Sequence, residues 1–255
     1  MTVLDRILAA KQAEIARLRH RVLPTPPARR AVQLSRPAGE PLRLMAEIKH
    51  RSPSAGPLSS RLSVAERAAA YERGGARMVS VLCDREFFAG DFTHLAQARQ
   101  ACSLPLLCKD FILDERQLDA ARAFGADAVL LIVRCLSPQR LAQLLDGCRE
   151  RQLDGLVEVA NVEEAGIALE QGAALVGVNA RDLATLEMDP DRANSVLCAL
   201  PAAVTSVHLS GISDADAVRR LARSPAHAAL VGEALMRQDD PEELLRALVA
   251  AAGAD

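Results

Sequence analysis

The run LMAEIKHRSPSAG at residues 44–56 ends an apolar stretch with Glu47 and Lys49. Alternate side chains of a strand share a face, so Met45, Glu47 and Lys49 point one way and Leu44, Ala46 and Ile48 the other. A carboxylate and an ammonium on one buried face are costly unless they meet each other or a polar ligand. A structural ion pair satisfies that condition, and so does a binding or proton-transfer pair. Three more apolar runs carry a polar group at or near their ends: Lys109 in LPLLCK, Glu158 in GLVEVA and Asn179 in ALVGVN. Ammonium, carboxylate and amide groups brought together can move protons and hold anions. The loop Ser52-Pro53-Ser54, with Gly56 behind it, adds hydroxyls and free backbone amides.

What positions these groups is read from the apolar periodicity. Strand candidates recur at 44–48, 77–83, 104–109, 127–133, 155–160, 174–179, 203–209 and 228–233. Between them lie helical patterns such as SVAERAAAYERG and SPQRLAQLLDGCRERQ, with small or acidic residues near their starts and glycine at several of their ends. Eight strand-helix units in this length predict an α/β fold, a (β/α)8 TIM barrel. An open doubly wound sheet loses, because no GxGxxG follows the first strand. Leu4, Ile7, Leu8, Ile15 and Leu18 add an extra amphipathic N-terminal helix. The Pro- and Arg-rich residues 23–43 read as a connector with no core face. The expected organisation is one domain over 1–255, with helix and connector in 1–43 and barrel in 44–255.

In such a barrel the strand ends form one mouth, where polar residues serve chemistry. Gly211 after strand seven and Gly232 after strand eight let backbone amides approach an anion there, helped by a short helix near Glu233. Phe87, Phe88 and Phe111 lie just past strands two and three, either as local core or as an apolar substrate slot.

Composition narrows the classes of partner. The chain has 255 residues, half of them hydrophobic, and a formal charge of −2, so nothing calls for nucleic acid or an anionic membrane. The N-terminus carries acidic residues, unlike a secretory signal, and no apolar run reaches a membrane span, so a cytoplasmic protein is expected. The six cysteines are scattered, with no metal-binding spacing, and read as small buried apolar residues.

AEIKHRSPSAG resembles the strand-one signature Glu-x-Lys-x-x-Ser-Pro-Ser of the indole-3-glycerol phosphate synthases. SVLCDREFFAGDFTHL, LPLLCKDFILDERQ, ADAVLLIV, LVEV, VGVNARDLATLEMD and LVGEALMR are similar to that family's other blocks, in order, over nearly the whole chain. The resemblance implies a carboxy-lyase of tryptophan biosynthesis that uses no cofactor and no metal. Its substrate would be a phosphorylated small molecule, 1-(2-carboxyphenylamino)-1-deoxyribulose 5-phosphate, closed to indole-3-glycerol phosphate with loss of carbon dioxide and water. By matching position, Lys109 would be the acid of ring closure and Glu158 the acid/base of dehydration. Lys49 would support the oxyanion and contact the phosphate, with Glu47 orienting it, and Asn179 would hold substrate hydroxyls. Ser52 and Arg181 would receive the anthranilate carboxylate. Phe88, Phe111, Leu130, Leu183 and Leu230 would form the apolar slot, and Ser210, Gly211 and Gly232 would hold phosphate. A monomer or weak homodimer is expected.

Three positions depart from the pattern. Leu209 stands where the family's Glu-Ser-Gly begins, Ala234 replaces a phosphate-binding serine, and Ala180 replaces the second Asn of Asn-Asn-Arg. A divergent paralogue acting on a modified anthranilate in a secondary pathway and a non-catalytic ligand-binding barrel therefore stand as alternatives.

Overall fold

The computed structural model describes residues 3–52, 56–59, 61–182 and 185–253. Helix α1 (Val3–Leu18) comes first, followed by the eight strands of the barrel, with a short antiparallel pair (Arg51–Ser52 with Gly56–Pro57) after the first of them. The barrel strands are β1 (Arg43–Ile48), β2 (Met78–Leu82), β3 (Leu106–Lys109), β4 (Ala128–Ile132), β5 (Asp154–Val159), β6 (Leu175–Val178), β7 (Thr205–His208) and β8 (Ala228–Val231). Each pairs in parallel with the next, and β8 pairs with β1, which closes the barrel. All eight expected runs are strands, and the TIM-barrel expectation holds.

The helices form where their caps say they should. Helix α2 (Val64–Arg73) starts at a Ser63–Glu66 capping box, in which each side chain serves the other's backbone N–H. Two short elements follow β2, α3 (Arg85–Phe88) and α4 (Phe92–Ala101). Helix α5 (Glu115–Ala123) starts at an Asp114–Gln117 box, and α6 (Pro138–Glu150) at Ser137 with proline in its first turn. Then come α7 (Val162–Glu170), α8 (Pro190–Ala199), α9 (Ala215–Ala222), the four-residue α10 (Glu233–Met236) and α11 (Pro241–Ala251).

Period-two alternation splits the strand residues between two cores. Leu44, Ala46, Ile48, Val79 and Val81 pack against the helices in the outer layer. Met45, Met78, Leu107, Leu130, Leu156, Val207 and Leu230 fill the barrel interior. Leu4 and Ile7 of α1 and Phe111 belong to that interior cluster too. The first helix therefore lies across the mouth.

The connector differs from its sequence reading. Leu34 is 2 % exposed and joins the interior cluster, with Val32 packed against it. The Arg30 N–H donates to Asp127 Oδ1 at 2.7 Å, just ahead of β4, and the Arg43 N–H that opens β1 donates to the His227 carbonyl at 3.1 Å. Leu34 thus closes the base of the barrel, opposite the mouth. A lone leucine among prolines and arginines shows no periodicity, so its burial had no signature in the sequence.

Candidate active site

Strand β1 delivers Glu47 into the mouth with 2 % of its surface exposed. Two ammonium groups share it: Lys49 Nζ lies 2.8 Å from Oε1 and Lys109 Nζ lies 3.9 Å from Oε2. Burial favours the neutral acid, yet Lys49 and then Lys109 bring the Glu47 carboxyl below its ordinary value. The strand end itself is fixed from behind, where the Tyr71 hydroxyl of α2 donates to the Glu47 carbonyl at 2.9 Å. Gly232 makes room on the other side. A Cβ there would stand 2.6 Å from Glu47 Oε1.

A second chain of polar groups crosses β5, β6 and β7. Asn179 Nδ2 donates to Glu158 Oε1 at 2.9 Å. The Asn179 oxygen in turn accepts from the Ser210 hydroxyl at 2.7 Å and from the Arg181 N–H at 3.0 Å. These partners fix the amide's orientation, since only its NH2 side can face the carboxylate. Glu158 is 3 % exposed, and burial raises its pKa, an effect that Lys109 and the Asn179 hydrogen bond offset in part. The mouth thus holds one carboxyl whose pKa is lowered by its ammonium neighbours and one whose pKa is raised by burial. Such a division separates an electrostatic partner from an acid.

Both chains border a cavity of about 590 Å³, lined by Glu47, Lys49, Ser52, Lys109, Asn179, Arg181, Ser210, Gly211 and Gly232 on its polar side. Phe88, Phe111 and Leu230 line its apolar side, the two rings 6.3 Å apart. Glu158 lies beneath this wall, reached through Asn179, and Leu130 is interior packing at 2 % exposure. Leu183 falls outside the described residues, as do Pro53 and Ser54. Phe87 packs against the interior cluster with the Arg6 guanidinium 5.9 Å from its ring centre.

Sequence reasoning missed a whole wall. Val3, Leu4 and Ile7 of α1 line the cavity, as do Leu186, Ile212, Arg237 and Leu244. The stripe of α1 announced a buried face but not its location. Leu209 also lines the cavity, 4 % exposed, and its Cδ1 occupies the space above Gly177 that a Cβ there would need. Among the described residues, no cluster of three or more His, Cys, Asp or Glu is arranged to hold a metal ion.

A family model described as indole-3-glycerol phosphate synthase matches residues 4–248. The chain belongs to that family. An indole-3-glycerol phosphate synthase of Exiguobacterium sp. is 42% identical over 248 residues, covering 97% of this chain and 96% of that protein. The protein named indole-3-glycerol phosphate synthase 2 of Streptomyces coelicolor is 44% identical over 234 residues, covering 92% of this chain and 90% of its own. Among solved structures, a 3-hexulose-6-phosphate synthase from Salmonella typhimurium aligns with a TM-score of 0.66 at 15% identity, over 83% of this chain and 98% of that one. A thiamine phosphate pyrophosphorylase from Pyrococcus furiosus aligns with a TM-score of 0.62 at 18% identity, over 83% and 95%. At those identities the two structures bear on the barrel alone. For an indole-3-glycerol phosphate synthase the mouth has an apt division of labour: apolar ground by α1 and the phenylalanines, paired ammonium groups by β1 and β3.

Proposed function

We propose that this chain closes 1-(2-carboxyphenylamino)-1-deoxyribulose 5-phosphate to indole-3-glycerol phosphate at this mouth. The ring carbon bearing the carboxylate attacks the ribulose carbonyl carbon while Lys109 gives the carbonyl oxygen a proton. The bond to the carboxylate then breaks and carbon dioxide leaves, which restores the ring electrons. Glu158 supplies the proton with which the new hydroxyl departs as water, and a proton of the adjacent ring CH2 is lost as the indole double bond forms. Lys49 balances charge on the oxyanion and the phosphate, and Glu47 holds Lys49. Asn179 holds substrate hydroxyls, and the amides by Gly211 and Gly232, with Ser210, take the phosphate.

The observation that carries this reading is the sharing of Glu47 between Lys49 and Lys109 while Glu158, its pKa raised by burial, is held on the Asn179 chain. Positioning of proton donors and countercharges around the reacting atoms is what such a closure needs. The carboxylate of the anthranilate end meets Ser52 and Arg181. Arg181 is itself anchored, with Nη1 donating to the Leu186 carbonyl at 3.0 Å.

The protein works in the cytoplasm as a monomer or weak homodimer, in a single barrel domain. In support, no described helix is long and apolar enough to cross a membrane, and the large exposed apolar residues, Val22, Val162 and Met188, are scattered along the chain. The test is incubation of the purified protein with the synthetic anilino-ribulose phosphate. An indole absorbance rising with one equivalent of carbon dioxide supports the reading. Saturable binding with neither product overturns it in favour of a non-catalytic barrel.

A further inference from the structure

Lys11 sits on the apolar stripe of α1, in line with Leu4, Ile7, Ile15 and Leu18, and is 0 % exposed. Its ammonium lies 2.6 Å from Asp110 Oδ1, 3.0 Å from Asp84 Oδ2 and 2.8 Å from Glu14 Oε2. Asp84 and Asp110 are themselves buried. None of these four groups has a part in the chemistry above, yet each carboxylate beyond α1 governs a turn that does.

Asp110 follows Lys109 directly, and its Oδ1 accepts the N–H of Phe111 at 2.8 Å. Asp84 caps α3, its Oδ1 accepting the N–H of Phe87 at 2.7 Å, one residue before Phe88. Lys11 therefore joins three separate pieces of the cavity: the helix carrying Val3, Leu4 and Ile7, the turn carrying Phe111, and the turn carrying Phe88. A surface ion pair would be a weak tie, but a buried ammonium has no water to fall back on. Burial opposes the charged form of Lys11, and Asp110, Asp84 and Glu14 overcome that opposition and hold it protonated. Burial, with Glu14 and Asp84 close by, pushes the Asp110 carboxyl up to about 6 in spite of Lys11. The groups facing the cluster from β2 and β3 include the Cys83 thiol, which is kept neutral by burial.

We propose that Lys11 is a positioning residue for substrate binding: by holding Asp84 and Asp110 together it seats α1 across the mouth as a wall of the cavity. Lys109 belongs to β3 and is held by the barrel ladder, so loss of the tie acts on affinity more than on turnover. The proposal rests on the reaction above only for its kinetic readout.

The experiment compares wild type with Lys11→Met and with Lys11→Met/Asp110→Asn. The second variant removes the nearer of the two buried carboxylates that Lys11→Met leaves without their cation, and asparagine keeps an acceptor for the Phe111 N–H. Amide hydrogen exchange of α1 is followed by mass spectrometry, together with kcat and KM for the anilino-ribulose phosphate. Expected in the double variant are a folded barrel, α1 amides exchanging at least about tenfold faster, and KM raised about tenfold with kcat changed less. A double variant with α1 protection and KM both as in wild type would reduce the cluster to compensated charge and overturn the proposal. So would failure of both variants to give a folded barrel, which would make the cluster a determinant of the fold alone. If wild type itself shows no turnover, the reaction has failed while the exchange data still decide the role of Lys11.

Discussion

Replacing Gly232 by alanine puts a methyl group against Glu47. The backbone at Gly232 has φ −122° and ψ −79°, so its φ is not in the left-handed region that favours glycine. The constraint comes from the neighbour: the new Cβ would stand 2.6 Å from Glu47 Oε1 and 3.3 Å from its Cβ and Cδ. Ordinary contact begins near 3.4 Å, so the carboxylate must retreat by about 0.8 Å. It has little freedom to do so, being held by Lys49 at 2.8 Å, and any retreat moves the ammonium groups it shares. Misplacement on this scale at a reacting centre costs up to about a hundredfold. We expect kcat to fall by roughly 10- to 100-fold, equivalent to about 1.4–2.7 kcal/mol of barrier. Stability should fall by about 1–3 kcal/mol, the ordinary cost of overpacking. Steady-state kinetics on the anilino-ribulose phosphate, with a thermal melt alongside, measures both. A kcat within twofold of wild type, with the fold intact, would refute the reasoning that Glu47 is fixed by the emptiness at Gly232. A rise in KM alone would assign Gly232 to the phosphate and leave Glu47 out of it.

Other outcomes follow from the same geometry. Lys109→Ala should lower turnover about 10²–10⁴-fold, the range for a general acid, with little change in melting temperature; near-native turnover would remove it from the mechanism. In the residual activity of that variant the pH profile should also move. Lys109 lowers the Glu158 pKa against the rise caused by burial, so removing its charge raises that pKa further. Glu158 then keeps its proton to higher pH, and the basic limb assigned to it should shift upward relative to wild type. Leu209→Glu should raise turnover on the unsubstituted substrate by giving the ammonium groups a further carboxylate. It should also lower the melting temperature by roughly 5 °C or more, because it buries a charge at a 4 % exposed position above Gly177. Lower turnover on that substrate would mean that the leucine serves the native ligand.

The strands were legible because alternation is a local property: Met45 and Glu47 face inward and Ala46 and Ile48 outward, as the letters alone require. The polar groups at the strand ends were legible for the same reason, since a charge on an inward face demands a use. Relations through space were not. Gly232 reads as a turn glycine, and its dependence on Glu47 appears only when β8 closes against β1. Glu158 lies below the cavity wall, a depth that no spacing encodes. Lys11 was the one overlooked signal of the missing wall. A lysine in line with Leu4, Ile7 and Ile15 on an otherwise apolar stripe must find anions at its docking site, and Asp84 and Asp110 flank the very turns that carry the phenylalanines.

The seating of α1 also orders the assembly of the protein in time. The helix leaves the ribosome ahead of the barrel strands, yet the carboxylates that bind Lys11 lie at positions 84 and 110. Sixteen residues without tertiary partners make a marginal helix in water, and its stripe stays uncovered while those partners are synthesised. Leu34 must likewise wait for the strands around the base, and Arg30 for Asp127, which lies 97 residues further on. A segment translated ahead of the strands is thus held back until much of the barrel exists. Substrate affinity should arise late in synthesis, after the strands have met, although the wall that provides it is encoded ahead of them.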